Sequence, residues 1–81
     1  VRFISYEPAI GPLRLPLDGP FPDWTIIGGE SGPGYRDMPE KWARDIISDC
    51  RDTLVVPFMK QMAGKKPIPA DLMIREFPVA A

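Results

Sequence analysis

Histidine is absent from this chain of 81 residues, and cysteine occurs once, as Cys50. The first absence excludes a Ser-His-Asp triad, a histidine general base and histidine metal ligands. The second leaves no partner for an internal disulfide, which fits a reducing cytosol, so the chain is read as cytoplasmic. No metal site is expected. Apolar runs never exceed a few residues, so no segment is long enough to span a bilayer, and no signal-peptide pattern is read at the start. An excess of charge of either sign is missing too. The net charge is −1, which gives no basic stripe for nucleic acid and no pull toward an anionic membrane.

What is present is a globular composition with an excess of proline. Apolar residues make up 44% of the chain, which argues against disorder. Prolines number 11, well above the usual roughly 5%. The length allows one domain, over residues 1–81, and a domain this small buries only about 60% of its unfolded surface. The chain has no initiator Met and opens almost at once on a strand pattern. We therefore expect a fragment of a larger protein.

Three strands and one helix are predicted. Arg2 to Glu7 is β-branched and aromatic and is stopped by Pro8. Residues 9 to 23 are rich in proline and glycine, with turn signals at Gly11-Pro12 and Gly19-Pro20. Trp24 to Gly28 reads as the second strand. Asp37 and Glu40 form a capping-box-like pair, Pro39 suits the first turn, and a helix is predicted over about 38 to 52. Its core stripe is Trp42, Ile46 and Cys50, flanked by Ala43 and Ile47. Arg44, Asp45, Asp49, Arg51 and Asp52 are assigned to the solvated face. Leu54 to Met62 reads as the third strand, with Pro57 tolerable near its start. Residues 68 to 81 are expected to be extended or loop, with Phe77-Pro78 docked on an apolar surface. Tyr6 and Trp24 are expected in the core, and Cys50 is expected to be a buried, inert thiol. The fold class is thus α/β, a three-stranded parallel sheet with one main helix, like the last strands of a (β/α) barrel.

The stretch Gly28-Gly29-Glu30-Ser31-Gly32-Pro33-Gly34 stands between strand and helix. That is where α/β proteins place ligands, at the carboxyl ends of their strands. The spacing is neither a dinucleotide fingerprint nor a P-loop. Gly28, Gly29, Ser31, Gly32 and Gly34 are the candidate ligand-binding backbone, and Arg36 a candidate anion clamp beside it. Side-chain alternation puts Glu7, Glu30 and Lys60 at three strand ends on one side of the sheet. The two glutamates suit acid–base work or an amine, and the lysine suits a carboxylate or phosphate. The competing interpretation is a structural ion-pair network at the strand ends. Met59 and Met62 are assigned to packing, and Lys65-Lys66 to a solvated turn.

Several motifs together resemble a known family. They are Phe3-Ile4-Ser5-Tyr6-Glu7-Pro8 with Gly11-Pro12, Asp23-Trp24 through Gly34, Trp42, and Pro57-Phe58-Met59-Lys60-Gln61. This order is similar to the carboxyl-terminal third of the uncharacterised phage family named after gene products thirty-seven and sixty-eight. The resemblance implies a radical-SAM-like (β/α) barrel with a three-cysteine motif near its amino terminus. It implies that Glu7, Glu30, Ser31, Arg36, Lys60 and Gln61 lie at the barrel mouth. It also implies S-adenosylmethionine and an iron–sulfur cluster as cofactors of the full-length protein. This chain lacks the three cysteines, so no cofactor is expected in it alone and no radical chemistry from it.

The resulting expectation is a chain that supplies part of a ligand site, for S-adenosylmethionine or a substrate, in a larger enzyme. Its partners would be a small-molecule ligand and the amino-terminal part of the barrel. The alternative is a non-catalytic binding or assembly module. A nucleic-acid-associated phage protein is a third reading, opposed by the charge. An uncovered sheet face, including Phe3, Ile26 and Phe58, also predicts self-association.

Overall fold

Each of the three apolar segments becomes a strand, and the polar-faced segment between the last two becomes a helix. The computed structural model describes residues 2–16 and 18–78. It contains β1 at Phe3–Tyr6, β2 at Trp24–Gly28, α1 at Glu40–Thr53 and β3 at Val56–Gln61. The order is β1-β2-β3, and both pairings are parallel. Short 3-10 turns follow at Ala63–Lys65 and Ala70–Leu72. Among the described residues, no helix is long and apolar enough to cross a membrane.

Register divides the sheet into two faces. Ile4, Thr25 and Pro57 stand in one row, and Tyr6, Ile27 and Met59 in another. Paired residues of a parallel sheet share a face, and these rows point into the core with Ala43, Ile46, Ile47 and Cys50 of α1. Burial raises the Cys50 thiol, which is therefore inert at neutral pH. Thr25 is buried as well, and its hydroxyl has no hydrogen-bond partner of good geometry. The nearby Cys50 sulfur is at best a weak acceptor for it.

The link between β1 and β2 has to cross the sheet without a helix. It does so as an irregular strap. Ala9 and Leu15 are buried, the Tyr6 hydroxyl donates to the Gly11 carbonyl, and the Ala9 amide donates to the Gly28 carbonyl at 2.8 Å. The Glu7–Pro8 and Gly19–Pro20 peptides are cis. The strap is anchored by Asp49, which corrects the sequence expectation. Asp49 belongs to the buried side of α1, not the solvated one, at 8% exposure. Its carboxylate accepts two bonds from Arg14 at 2.8 Å and one from the Leu15 amide at 2.9 Å.

Both ends of α1 also differ from expectation. The capping box does not form. Pro39 is the N-cap residue without a side-chain cap bond. Asp37 approaches Lys66 at 3.5 Å and Glu40 pairs with Arg44 at 2.7 Å. At the other end Leu54 takes the left-handed conformation, φ 60°, and closes the helix. It is exposed and outside β3, which begins only at Val56. Trp42 is half-buried and packs at the margin of the core.

The opposite sheet face carries aromatics. Trp24 lies there and not in the expected core, with its ring centroid 6.4 Å from Phe3, 5.8 Å from Phe58 and 5.5 Å from Phe77. The last residues return along the outer edge of β3. Met59 donates its amide to the Ile74 carbonyl at 2.7 Å, and the Glu76 amide donates to Pro57 at 3.1 Å. Trp24 Nε1 donates to the Glu76 carbonyl at 2.8 Å. Phe77 docks as expected yet stays 69% exposed, and Phe3 stays 59% exposed. The expected extended tail thus includes a 3-10 turn, and residues 79–81 of that expectation lie outside the described residues.

Candidate functional site

The carboxyl ends of three parallel strands converge because β2 sits between the other two. Glu7 follows β1, Gly28 ends β2, and Lys60 and Gln61 end β3. Side-chain alternation puts Glu7 and Lys60 on the same face, and they meet. Lys60 Nζ lies 3.1 Å from Glu7 Oε2 and 3.3 Å from Oε1. The pair bridges β1 to β3 over the central strand. That route exists because residue 28 is glycine: a Cβ there would stand 2.6 Å from Glu7 Oε2. Lys60 is about half exposed and Glu7 a quarter exposed, so the pair remains open to solvent on one side.

Glu30 does not join them. Its carboxylate folds back on its own turn and accepts Arg36 N at 2.9 Å, Nε at 3.0 Å and Nη2 at 2.6 Å. These Arg36 bonds, side chain first and then backbone, hold the Glu30 carboxyl well below the usual range, at about 2. The expected trio is therefore a pair, and Glu30 is the latch of the loop 30–36. Arg36 is correspondingly not an anion clamp, since its fork is filled by Glu30.

The four glycines of the turn divide by function. Gly28 and Gly29 are buried and serve close approach. A Cβ on Gly29 would overlap the Ala63 backbone. Gly29 and Gln61 are joined by two bonds, Gly29 N to the Gln61 carbonyl at 2.9 Å and Gln61 Nε2 to the Gly29 carbonyl at 2.8 Å. The Gly64 amide then donates to the Glu30 carbonyl at 2.8 Å. Gly32 and Gly34 instead supply positive φ, +92° and +73°, with open space around them. Ser31 and both of these glycines are exposed. The turn also does not run straight into the helix, because residues 35–39 intervene before α1. The expected cradle of amides at a helix start is thus not formed, and the Gly29 amide is taken by the Gln61 carbonyl.

Residues 63–75 contribute more than the sequence suggested. The Lys65-Lys66 turn is fixed against the glycine turn by the Gly64–Glu30 bond, and Gly64 packs against the hydroxyl end of the Tyr35 ring, where a Cβ would clash. Lys66 Nζ lies 5.5 Å from the centre of that ring. Arg75 Nε and Nη2 donate to the Met59 and Lys60 carbonyls, both at 2.9 Å. The signal was available in part, since a lysine doublet closely follows a strand end. Arg75 gave none, because only the antiparallel return brings it to β3.

Among the described residues no group of three or more His, Cys, Asp or Glu side chains is placed to hold a metal ion. An iron–sulfur cluster does not fit this chain either. Its single thiol is buried on α1 with its pKa raised by burial, and cluster ligation takes several thiolates. Ligand chemistry here would be polar and ionic: a carboxylate for a cationic group, an ammonium for an anionic one, and a backbone that a ligand can approach closely.

Residues 1–74 match a protein family described as a protein of unknown function (DUF5131), and the chain belongs to that family. No curated protein and no solved structure matches it.

Proposed function

For this member of a family without an assigned activity, we propose that the chain supplies the closing strands of a radical-SAM-like (β/α) barrel and part of its ligand site. The resemblance to the phage gene-product thirty-seven and sixty-eight proteins is the source of the barrel reading. The observation that carries the site is the Glu7–Lys60 pair lying across Gly28 at the carboxyl ends of the strands. Structural ion pairs are usually peripheral, whereas this one occupies the position where parallel sheets bind ligands. A zwitterionic ligand such as S-adenosylmethionine would exchange this internal pair for its own, with its amine on Glu7 and its carboxylate on Lys60. The site is only part of a pocket, so affinity in the millimolar range is expected. An NMR titration with S-adenosylmethionine should move the amides of Gly28, Gly29 and Lys60, and Glu7→Gln should abolish the movement. Unmoved amides at millimolar ligand would reduce the pair to a structural bridge.

A non-catalytic assembly module is favoured by one separate observation. The aromatic face is open, with Phe3 and Phe77 both exposed. Contiguous apolar surface of this sort marks an interaction site. The chain on its own is expected to associate in a concentration-dependent way in analytical ultracentrifugation, and Phe3→Lys with Phe77→Lys should return it to monomer. A wild-type monomer throughout the micromolar range would remove this reading.

A further inference from the structure

Lys60 also borders a second feature. An open hollow of about 330 Å3 lies beside the end of β3, lined by Lys60, Gln61, Lys65, Lys66, Arg75 and the apolar Ile68 among others, and no carboxylate lines it. Four cations on one hollow is a marked segregation for a chain of net charge −1. Two of the four are uncompensated: among the described residues no carboxylate lies within 4.0 Å of Lys65 or Arg75. A third, Lys66, has only a long contact of 3.5 Å with the exposed Asp37.

The Arg75 guanidinium and the backbone that carries the lysines are also held in place. Arg75 is fixed by its two bonds to the Met59 and Lys60 carbonyls, which use Nε and Nη2 and leave Nη1 to point elsewhere. Lys65 sits on a turn with consecutive left-handed residues, Gly64 at φ 63° and Lys65 at φ 54°. A non-glycine residue in that region is strained and stays there only where its surroundings hold it. The turn is closed by the Lys65 amide to Met62 at 3.1 Å and the Lys66 amide to Ala63 at 3.3 Å. Like charges gathered on a rigid turn repel one another, and an anion relieves that repulsion without reorganising the backbone.

We propose that this hollow binds the phosphoryl group of a small phosphorylated ligand. A dianionic phosphate matches the charge, and the second N–H of Gln61 Nε2 and the Nη1 of Arg75, neither used in the bonds above, supply directional donors. Nucleic acid is the less suited polyanion, since the cations form one hollow and not a stripe, and Glu7, Glu30 and Asp37 stand close by. The site shares Lys60 with the ligand reading above but does not depend on it.

The test is an NMR titration of the full chain with inorganic pyrophosphate at low salt. Saturable shifts are expected at the Gln61, Lys65, Lys66 and Arg75 amides. The double variant Lys65→Gln/Lys66→Gln should weaken binding at least 10-fold while leaving the rest of the spectrum unchanged, and Arg75→Gln should weaken it independently. Glu7→Gln separates the two sites, because it frees Lys60: pyrophosphate binding should strengthen about 2-fold or more, whereas S-adenosylmethionine binding should be lost. Shifts that grow linearly without saturation, or an affinity indifferent to the lysine pair, would overturn the proposal. So would a single-stranded oligonucleotide binding 100-fold tighter than pyrophosphate.

Discussion

Gly29→Ala is expected to destabilise the chain by about 3 kcal/mol or more, at the upper end of overpacking effects. The added Cβ would overlap the nitrogen and Cα of Ala63 and the carbonyl carbon of Met62. These are backbone atoms, so no rotamer change relieves the clash. The turn would have to leave β3, breaking the two Gly29–Gln61 bonds and the Gly64–Glu30 bond. In a domain of this size, 1 kcal/mol shifts the Tm by about 4–8 °C, so thermal unfolding should show a fall well over 10 °C. Neighbouring glycines provide the comparison. Gly28→Ala meets only the mobile end of the Glu7 side chain, so it should displace Glu7 from Lys60 and spare the fold. Gly32→Ala meets nothing but carries φ +92°, a strain of about 1–2 kcal/mol. Equal losses for Gly29→Ala and Gly32→Ala would contradict the packing argument.

Asp49→Ala is expected to remove about 2–3 kcal/mol, because it leaves the buried Leu15 amide without an acceptor and frees Arg14. Arg14→Ala should do less. Its side chain is 59% exposed, and exposed ion pairs contribute little. The pH dependence follows from the same contact. The Arg14 bonds and then the Leu15 amide, working against burial, lower the Asp49 carboxyl from its ordinary value. A depressed carboxyl stabilises the fold above its unfolded pKa, about 3.9, and the contribution disappears as pH falls through the lower folded value. Glu30, at about 2, acts in the same direction. Denaturant titrations at pH 7 and near pH 3 should therefore show wild type losing stability in acid, with Asp49→Ala losing less. A variant as acid-sensitive as wild type would mean the carboxylate is not the anchor.

The sequence by itself determined the sheet and its helix. The β-branched and aromatic runs at Phe3–Tyr6 and Trp24–Gly28, and the apolar stripe Ala43, Ile46, Ile47 and Cys50, admit few other arrangements, because a one-residue slip would turn every buried side chain outward. It also placed Glu7 and Lys60 on one face, since a period of two is a local property of the strand. Only the tertiary structure decided which charges met. Glu30 had the right strand end but found Arg36 six residues away, a nearer and bidentate partner. Asp49 had the charge of a solvated residue although it stands three residues after Ile46, beside the apolar stripe, and it became buried because a strap without regular structure offered it Arg14 and an amide. Arg75 and Trp24 were placed by the returning segment at 74–77, whose antiparallel course along β3 has no periodicity to betray it. Repeating patterns record burial on regular elements. Long-range polar pairing depends on where irregular chain comes to rest, and that is set by the packed fold as a whole.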